Sequence, residues 1–180
     1  IIGNGIRIGR AVNEIKKLSN LIKIPILSSW NASDLLKVND KNYIGKIGLF
    51  GDRASNFTIQ SSDLVIVIGS RLSQPMTGYE LSSFAPKAKI VMNEIDLAEI
   101  KKFSKKINLF FNCDSKFFLK NLLIELNKIS KNFLHKKDWL QKSQKLKNEY
   151  PVVLKKYKEN KKFVNSFYFI DQLFKNIKND

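Results

Sequence analysis

The chain is poor in the residues that build redox, metal and disulfide sites. It has one cysteine, Cys113, and one histidine, His135, in 180 residues. A single cysteine forms no internal disulfide, which fits a reducing, cytoplasmic setting. Cys113 stands in FFNCDSK with no second Cys or His nearby, so it reads as a structural thiol and not a metal ligand. His135 lies in a Lys-rich stretch without an acid or nucleophile pattern, which argues against catalysis. GxSxG, HExxH, P-loop and paired-carboxylate patterns are missing as well. No apolar run approaches the roughly 18 residues of a membrane span, so no membrane partner is expected. The start lacks the basic–apolar–small order of a signal peptide.

Arginine is scarce too. The net charge of +16 rests on Arg7, Arg10, Arg53, Arg71 and otherwise on lysine. A strong positive charge points first to nucleic acid. Here the lysines mix with Asn and Ile, as in an AT-rich genome, and spread along polar helix faces. They do not form a patch with interleaved aromatics, so a solvated surface is expected and no nucleic-acid partner. The length suits one α/β domain with a real core. The opening IIGNGIRIG reads as the tail of a strand whose start is missing, as in an excised fragment.

Strand and helix patterns alternate over the first three-quarters. Ile1–Ile2 is a strand stub. Ile8 to Leu21 has helical spacing at Ile8, Val12, Ile15, Leu18 and Leu21. Further strands are expected at Ile24–Leu27, Leu64–Ile68, Lys89–Asn93 and, more weakly, Asn108–Phe111. A short helix is expected at Ser55–Gln60 with a Ser cap. A longer helix, Ser115–Ile129, turns Phe118, Leu119, Leu122, Leu123 and Leu126 inward. This order predicts an α/β fold: one Rossmann-like parallel sheet of about six strands with helices on both faces. From about Lys131 the chain is Lys-rich and has no strand pattern. A helix is expected at about Lys136–Glu149, then a linker, then a helix near Val164–Ile177 that starts at Asn165 or Ser166. Residues 1–130 therefore read as the domain and 131–180 as a helical extension.

In parallel sheets ligands bind at the C-terminal strand ends. Those ends here are Gly3-Asn4-Gly5, Ser28-Ser29-Trp30, Gly69-Ser70-Arg71, Asn93-Glu94-Ile95 and Cys113-Asp114-Ser115. The GxGxxxG of Gly3, Gly5 and Gly9 either lets a phosphate approach or is a plain strand-to-helix turn. Arg71 either reaches a phosphate or carboxylate or pairs with Asp63 or Glu80. Asp96 reads as the cap of the helix at Leu97, with Glu99 as its capping-box partner. Glu94 is the better acid for ribose hydroxyls.

Two longer stretches resemble a known family. YIGKIGLFGDRASNFTIQSSDLVIVIGSRL followed by TGYELSSFAPKAKIVMNEIDLAEI is similar to the central domain of thiamine-diphosphate-dependent enzymes of the acetolactate synthase group. Asn56, Ser62-Asp63-Leu64, Gly69 and Arg71, Ala88-Lys89-Ile90-Val91, Ile95-Asp96 and Ala98-Glu99-Ile100 carry the pattern. The opening GNGIRIGRAVNEIKKLSNLIKIPILSSW looks like that domain's start, and the resemblance covers residues 1–130. Trp139 and VNSFYFIDQL look like the linker to the family's next domain. SSWNASDLL with GDRASNF looks closest to acetolactate-synthase-like proteins of bacterial surface-polysaccharide gene clusters.

The resemblance implies a three-domain enzyme that decarboxylates or ligates a 2-oxo acid and works as a homo-dimer or homo-tetramer. The family's activating glutamate and its Gly-Asp-Gly…Asn motif for thiamine diphosphate and Mg belong to the other two domains. Gly51-Asp52-Arg53 is not that motif. By the resemblance, this chain should hold no catalytic residue, bind no thiamine diphosphate or metal, and be inactive alone. It further implies FAD or ADP at the strand ends, held by Gly3, Asn4, Gly5, Ser28, Ser29, Gly48, Phe50, Gly51, Gly69, Ser70, Arg71, Glu94, Ile95 and Asp114. The chain departs from the family by Ser73-Gln74-Pro75, where acetolactate synthases tend to carry an Asp-Asp-Arg run on the flavin nucleotide. The alternative reading is a stand-alone nucleotide-binding regulatory module.

Overall fold

The computed structural model describes residues 1–103, 106–129, 137–159 and 162–177. In chain order these form α1 (Gly5–Ile8), α2 (Val12–Leu21), β1 (Ile26–Ser28), β2 (Tyr43–Lys46), α3 (Arg53–Gln60), β3 (Leu64–Ile68) and α4 (Gln74–Thr77). Then follow β4 (Lys89–Asn93), α5 (Leu97–Lys102), β5 (Leu109–Phe111), α6 (Ser115–Lys128), α7 (Lys137–Glu149), α8 (Lys156–Glu159) and α9 (Ser166–Asn176).

All strand pairs are parallel. β1 pairs with β2, and β4 sits between β3 and β5. The expected single sheet of about six strands is corrected: among the described residues there is a two-stranded and a three-stranded sheet. The reason lies at the chain start. Ile2 makes single bridges to both Ser28 and Ile68, too short a run to count as a strand. It nevertheless ties the two sheets edge to edge.

Side chains alternate across the strands, so each strand feeds two cores. Ile26, Ile68 and Ile2 pack with Ile15 and Leu18 of α2 and with Phe118 and Leu119 of α6. Leu27, Val65, Val67, Ile90 and Met92 pack on the other side with Ile59 of α3, Ile100 of α5 and Leu140 of α7. Helices therefore cover both faces.

Several boundaries differ from the sequence reading. The helix expected over Ile8–Leu21 is broken at Gly9-Arg10, where Arg10 takes φ 53°. Ile8 fitted the apolar stripe by spacing, yet it is 76% exposed. β2 had no expected counterpart, because Gly45 interrupts its short apolar run. The strand expected at Ile24–Leu27 starts two residues later. α3 begins at Arg53 with Asp52 as its cap residue, and Ser55 is a buried interior position. Asp114 and Asn165 cap α6 and α9 by accepting two backbone N–H bonds each. His135 lies outside the described residues.

The Lys-rich α7 packs onto the domain. Gln144 and Lys147 donate to the carbonyls of Lys41, Val38 and Tyr43, at 2.7, 2.9 and 2.7 Å. Just beyond its end, Tyr150 holds the Arg53 guanidinium against its ring at 4.9 Å, with Phe57 on the same cation at 5.5 Å. Leu140 is 7% exposed within the second core. Leu140→Ala should cost about 2–5 kcal/mol of stability, read as a lower urea midpoint at unchanged slope. A loss below about 1 kcal/mol would place α7 outside the cooperative unit.

Candidate functional site

A cleft of about 640 Å³ opens at the C-terminal ends of the strands. Its floor depends on a close approach of two strand ends. Gly3 N–H donates to the Ile68 carbonyl and Gly5 N–H to the Gly69 carbonyl, both at 2.9 Å. Gly69 takes φ 58° and Leu72 takes φ 48°, so the chain turns back twice after β3. That turn lays Ser70, Arg71 and Leu72 along the cleft wall.

The Gly48–Gly51 loop forms the opposite lip. Gly48 and the Asn56 side chain exchange two hydrogen bonds of 2.9 Å. Leu49 N–H donates to the Pro75 carbonyl at 2.7 Å, and Gly51 N–H closes the loop on Gly48. With both glycines tied back, Leu49 and Phe50 project outward. Phe50 lies 5.4 Å from Trp30, ring centre to ring centre. Arg7 holds the Trp30 turn in place: its guanidinium donates to the Asn4 side chain, the Asn31 carbonyl and the Asp34 carboxylate. The Arg7 hydrogen bond holds the Asp34 carboxyl below its ordinary range. The cleft rim is therefore unusually apolar for an exposed surface, with Trp30 and Phe50 about two-thirds exposed at 63% and 66%.

The acids are buttressed from below. Glu94 is buried, and its Oε1 accepts from the N–H groups of Ile95 at 2.9 Å and Asp96 at 3.3 Å. Asp114 Oδ1 accepts from Lys116 and Phe117 N–H at the start of α6. Each carboxylate is thus oriented through one oxygen, and the other accepts no bond among the described residues. Asn93 donates to the Cys113 carbonyl at 2.8 Å, locking the ends of β4 and β5 together. Burial pushes the Cys113 thiol up, as suits an inert structural cysteine.

Of the fourteen residues singled out from sequence, ten line this cleft: Asn4, Gly5, Ser29, Phe50, Gly69, Ser70, Arg71, Glu94, Ile95 and Asp114. The other four stand behind it. Gly3 faces the backbone of Gly69 and Ser70. Ser28 is fully buried and bonds the Tyr43 hydroxyl at 2.9 Å. Gly48 and Gly51 serve the loop as described. Arg71 pairs with neither Asp63 nor Glu80. Its partner is Glu99, at a loose 3.7 Å, and it remains 72% exposed at the rim. Asp63 lies at the far end of β3, while Glu80 caps its own turn through Ser82. Asp96 does cap α5, through Ala98 N–H, but Glu99 turns to Lys102 at 2.6 Å and completes no capping box. Ile8, Leu72 and Met76 also line the cleft and were missed. Ile8 carried a signal, as an apolar residue beside a glycine that can break a helix.

Among the described residues no three His, Cys, Asp or Glu side chains gather as a metal site, and no helix is long and apolar enough to cross a membrane.

The chain is 33% identical over 155 residues to the acetolactate synthase large subunit of Cyanidium caldarium, covering 84% of this chain and 26% of that one. It is 31% identical to a probable acetolactate synthase large subunit of Methanocaldococcus jannaschii, over 82% of this chain and 24% of the relative. It is 28% identical to the acetolactate synthase isozyme 2 large subunit of Escherichia coli K12, over 83% and 25%. The chain thus spans about a quarter of the length of the curated relatives it matches. Residues 1–122 match the family described as the thiamine pyrophosphate enzyme, central domain, and the chain belongs to that family.

Proposed function

We propose that the chain is the middle portion of a cytoplasmic, acetolactate synthase-like enzyme that decarboxylates or ligates a 2-oxo acid. The observation that carries this reading is the family match over residues 1–122, with a relative of that name at 33% identity. The stand-alone regulatory module finds no support, since the relatives compared are all large enzyme subunits. Residues 1–130 serve as the central unit, and 131–180 as a helical extension toward further domains of the same chain. The assembled enzyme is a homo-dimer or homo-tetramer.

Thiamine diphosphate and its Mg belong, in this reading, to the other domains of the longer enzyme, as membership of the central-domain family implies. That cofactor supplies carbanion stabilisation in the whole enzyme, and this portion contributes no catalytic group to it. A nucleotide fits the cleft. Glu94 and Asp114 accept ribose hydroxyls through their unused oxygens, and Arg71, loosely paired at the rim, swings to a phosphate. Asn4 and Ser29 add polar contacts, and Trp30 with Phe50 offers a flat apolar surface to a ring. FAD or ADP is the ligand class.

Thermal unfolding with FAD, ADP, NAD, coenzyme A and Mg–thiamine diphosphate tests both parts. A ligand at about 100 times its Kd adds roughly 2.7 kcal/mol. A shift with FAD or ADP that Glu94→Gln weakens is expected, with none from thiamine diphosphate. No nucleotide shift from folded protein would remove the nucleotide site. Pyruvate turnover by this chain alone would overturn its role as a non-catalytic portion.

A further inference from the structure

β2 and β5 are the outer strands of the two joined sheets, and the chain treats these edges differently. The β2 edge is buried, and α7 lies along it. Lys147 Nζ donates to the Tyr43 carbonyl and Gln144 to the Lys41 carbonyl, both at 2.7 Å. The β5 edge has no such cover among the described residues. Leu109, Phe110 and Phe111 are 51%, 51% and 41% exposed. Strand neighbours point to opposite faces, so neither face of β5 is sealed. Phe111 leans on Phe118 of α6, with ring centres 5.1 Å apart, and Phe110 lies on the other face. Phe117, in the first turn of α6, adds a ring that is 64% exposed.

The backbone of this edge is open as well. Asn108 N–H donates to the Ile90 carbonyl at 2.8 Å, on the β4 side. Groups along a strand alternate in direction, so Leu109 N–H, Leu109 C=O and Phe111 N–H face away from β4. None of the three has a partner among the described residues. Exposed edges ordinarily carry a lysine, a proline or a bulge that keeps another strand from adding. The run Ile107–Cys113, INLFFNC, has no charge, no proline and no glycine. Its register with β4 is unbroken from Leu109 to Phe111.

We propose that β5 is a self-association edge, on which a second copy of this chain adds its own β5 in antiparallel register. A twofold axis beside Phe110 brings Phe111 N–H of each copy to the Leu109 carbonyl of the other, so one contact satisfies two edges at once. The uncharged run suits an identical run, since an acidic or basic strand finds no countercharge within it. The area sets the strength. Large side chains bury roughly 150–250 Å² each, so four that are about half exposed bring about 400 Å² per copy. The pair then buries roughly 800 Å², about half of a standard interface, which makes the contact reversible. The proposal concerns this chain's own surface and goes beyond its place in a longer enzyme.

Sedimentation velocity from about 1 μM to about 1 mM tests it. A monomer–dimer equilibrium is expected, with a Kd on the order of 100 μM. Each copy carries a net charge of +16. Raising the salt from about 0.05 to about 0.5 M should therefore tighten the dimer several-fold, by screening the mutual repulsion. Phe110→Lys should weaken it about tenfold or more. Val38→Lys alters an exposed apolar residue beside the covered β2 edge and should leave it unchanged. Hydrogen exchange at Leu109 and Phe111 should slow with concentration in the unaltered and Val38→Lys chains alone. Melting at about 1 μM, where all forms are monomeric, checks that the variants fold. Leu109→Lys, on the opposite face, repeats the test where Phe110→Lys does not fold. A monomer at every concentration and salt, a dimer that survives the β5 substitutions, or one that Val38→Lys abolishes would each overturn the proposal. So would a Glu-Val-Phe-Val-Glu peptide that displaces the dimer and binds less tightly as salt rises, since the edge would then belong to an acidic partner.

Discussion

Gly3→Ala is expected to destabilise the protein by about 3 kcal/mol or more, although it adds one methyl group. Gly3 is buried between two strand ends. A Cβ there would overlap the Gly69 carbonyl oxygen and lie 2.5 Å from Ser70 Cβ and 2.6 Å from Ser70 Cα. None of these atoms can rotate away, since all are backbone or the first side-chain carbon. Nor can the backbone slide. Gly3 N–H and Gly5 N–H are bonded to Ile68 and Gly69, and Gly69 N–H is bonded to Asn93, at 2.9 to 3.0 Å. Relief requires parting the bridge that joins the two sheets, and that bridge is the cleft floor. Any nucleotide-induced thermal shift should therefore disappear with the stability. Gly78→Ala is the control. A Cβ at Gly78 meets nothing within 4 Å, so only its φ of 83° opposes a side chain, at about 1–2 kcal/mol. Urea unfolding of both variants decides it. A Gly3→Ala midpoint at or above that of Gly78→Ala would show that the strand ends part easily.

The same close approach marks what the sequence could and could not disclose. β3 and β4 were legible because LVIVI and KIVMN are continuous, β-branched and bounded by turn residues. α6 and α9 were legible because apolar spacing begins right after Asp114 and Asn165. The helix break at Arg10 was not, because Ile8 keeps the helical spacing although its side chain faces the cleft. The docking of α7 was not legible either. Lys147 is held by the carbonyls of Val38 and Tyr43, and carbonyl acceptors leave no trace in a sequence. The cleft itself followed from a topological rule, that parallel strands present ligand sites at their C-terminal ends. That rule located Glu94, Arg71 and Asp114. It could not separate Ser29, which faces the cleft, from Ser28, which faces Tyr43, since neighbours in a strand point to opposite sides. Nor could it find the partner of Arg71. Glu99 approaches through the turn of α5, and Asp63 is removed by the full length of β3.

Stability of the chain as it stands is expected to rise steeply with pH between about 5 and 8. The Ile1 amine has a pKa near 8.0 when unfolded and about 5 when folded. Between those values the unfolded chain holds a proton that the folded chain has released. Raising the pH removes that proton from the unfolded state and so favours folding. The contribution is complete above about 8 and is lost as the pH falls through about 5. A displacement of about three units corresponds to at most about 4 kcal/mol, at 1.36 kcal/mol per unit. The carboxylates that are clearly displaced, Asp34, Glu80 and Asp171, are held below their ordinary values by hydrogen bonds and so move away from this window. His135 is the one side chain that ordinarily titrates there, and His135→Gln removes it. Urea midpoints at pH 5, 6, 7 and 8 should therefore climb in both the native and the His135→Gln chain. Acetylation of the amine replaces the titrating group with an amide N–H. It keeps the hydrogen bond to the Ile66 carbonyl and places a small apolar group in the cavity of about 390 Å³ that Ile1 lines with Leu64 and Ile66. The acetylated chain should be flat over this range and as stable at pH 5 as at pH 8. Parallel slopes with and without acetylation would sink the assignment, since the pH dependence would then lie elsewhere. A flat acetylated chain would assign the pH dependence to the Ile1 amine, whose charged form is disfavoured by desolvation.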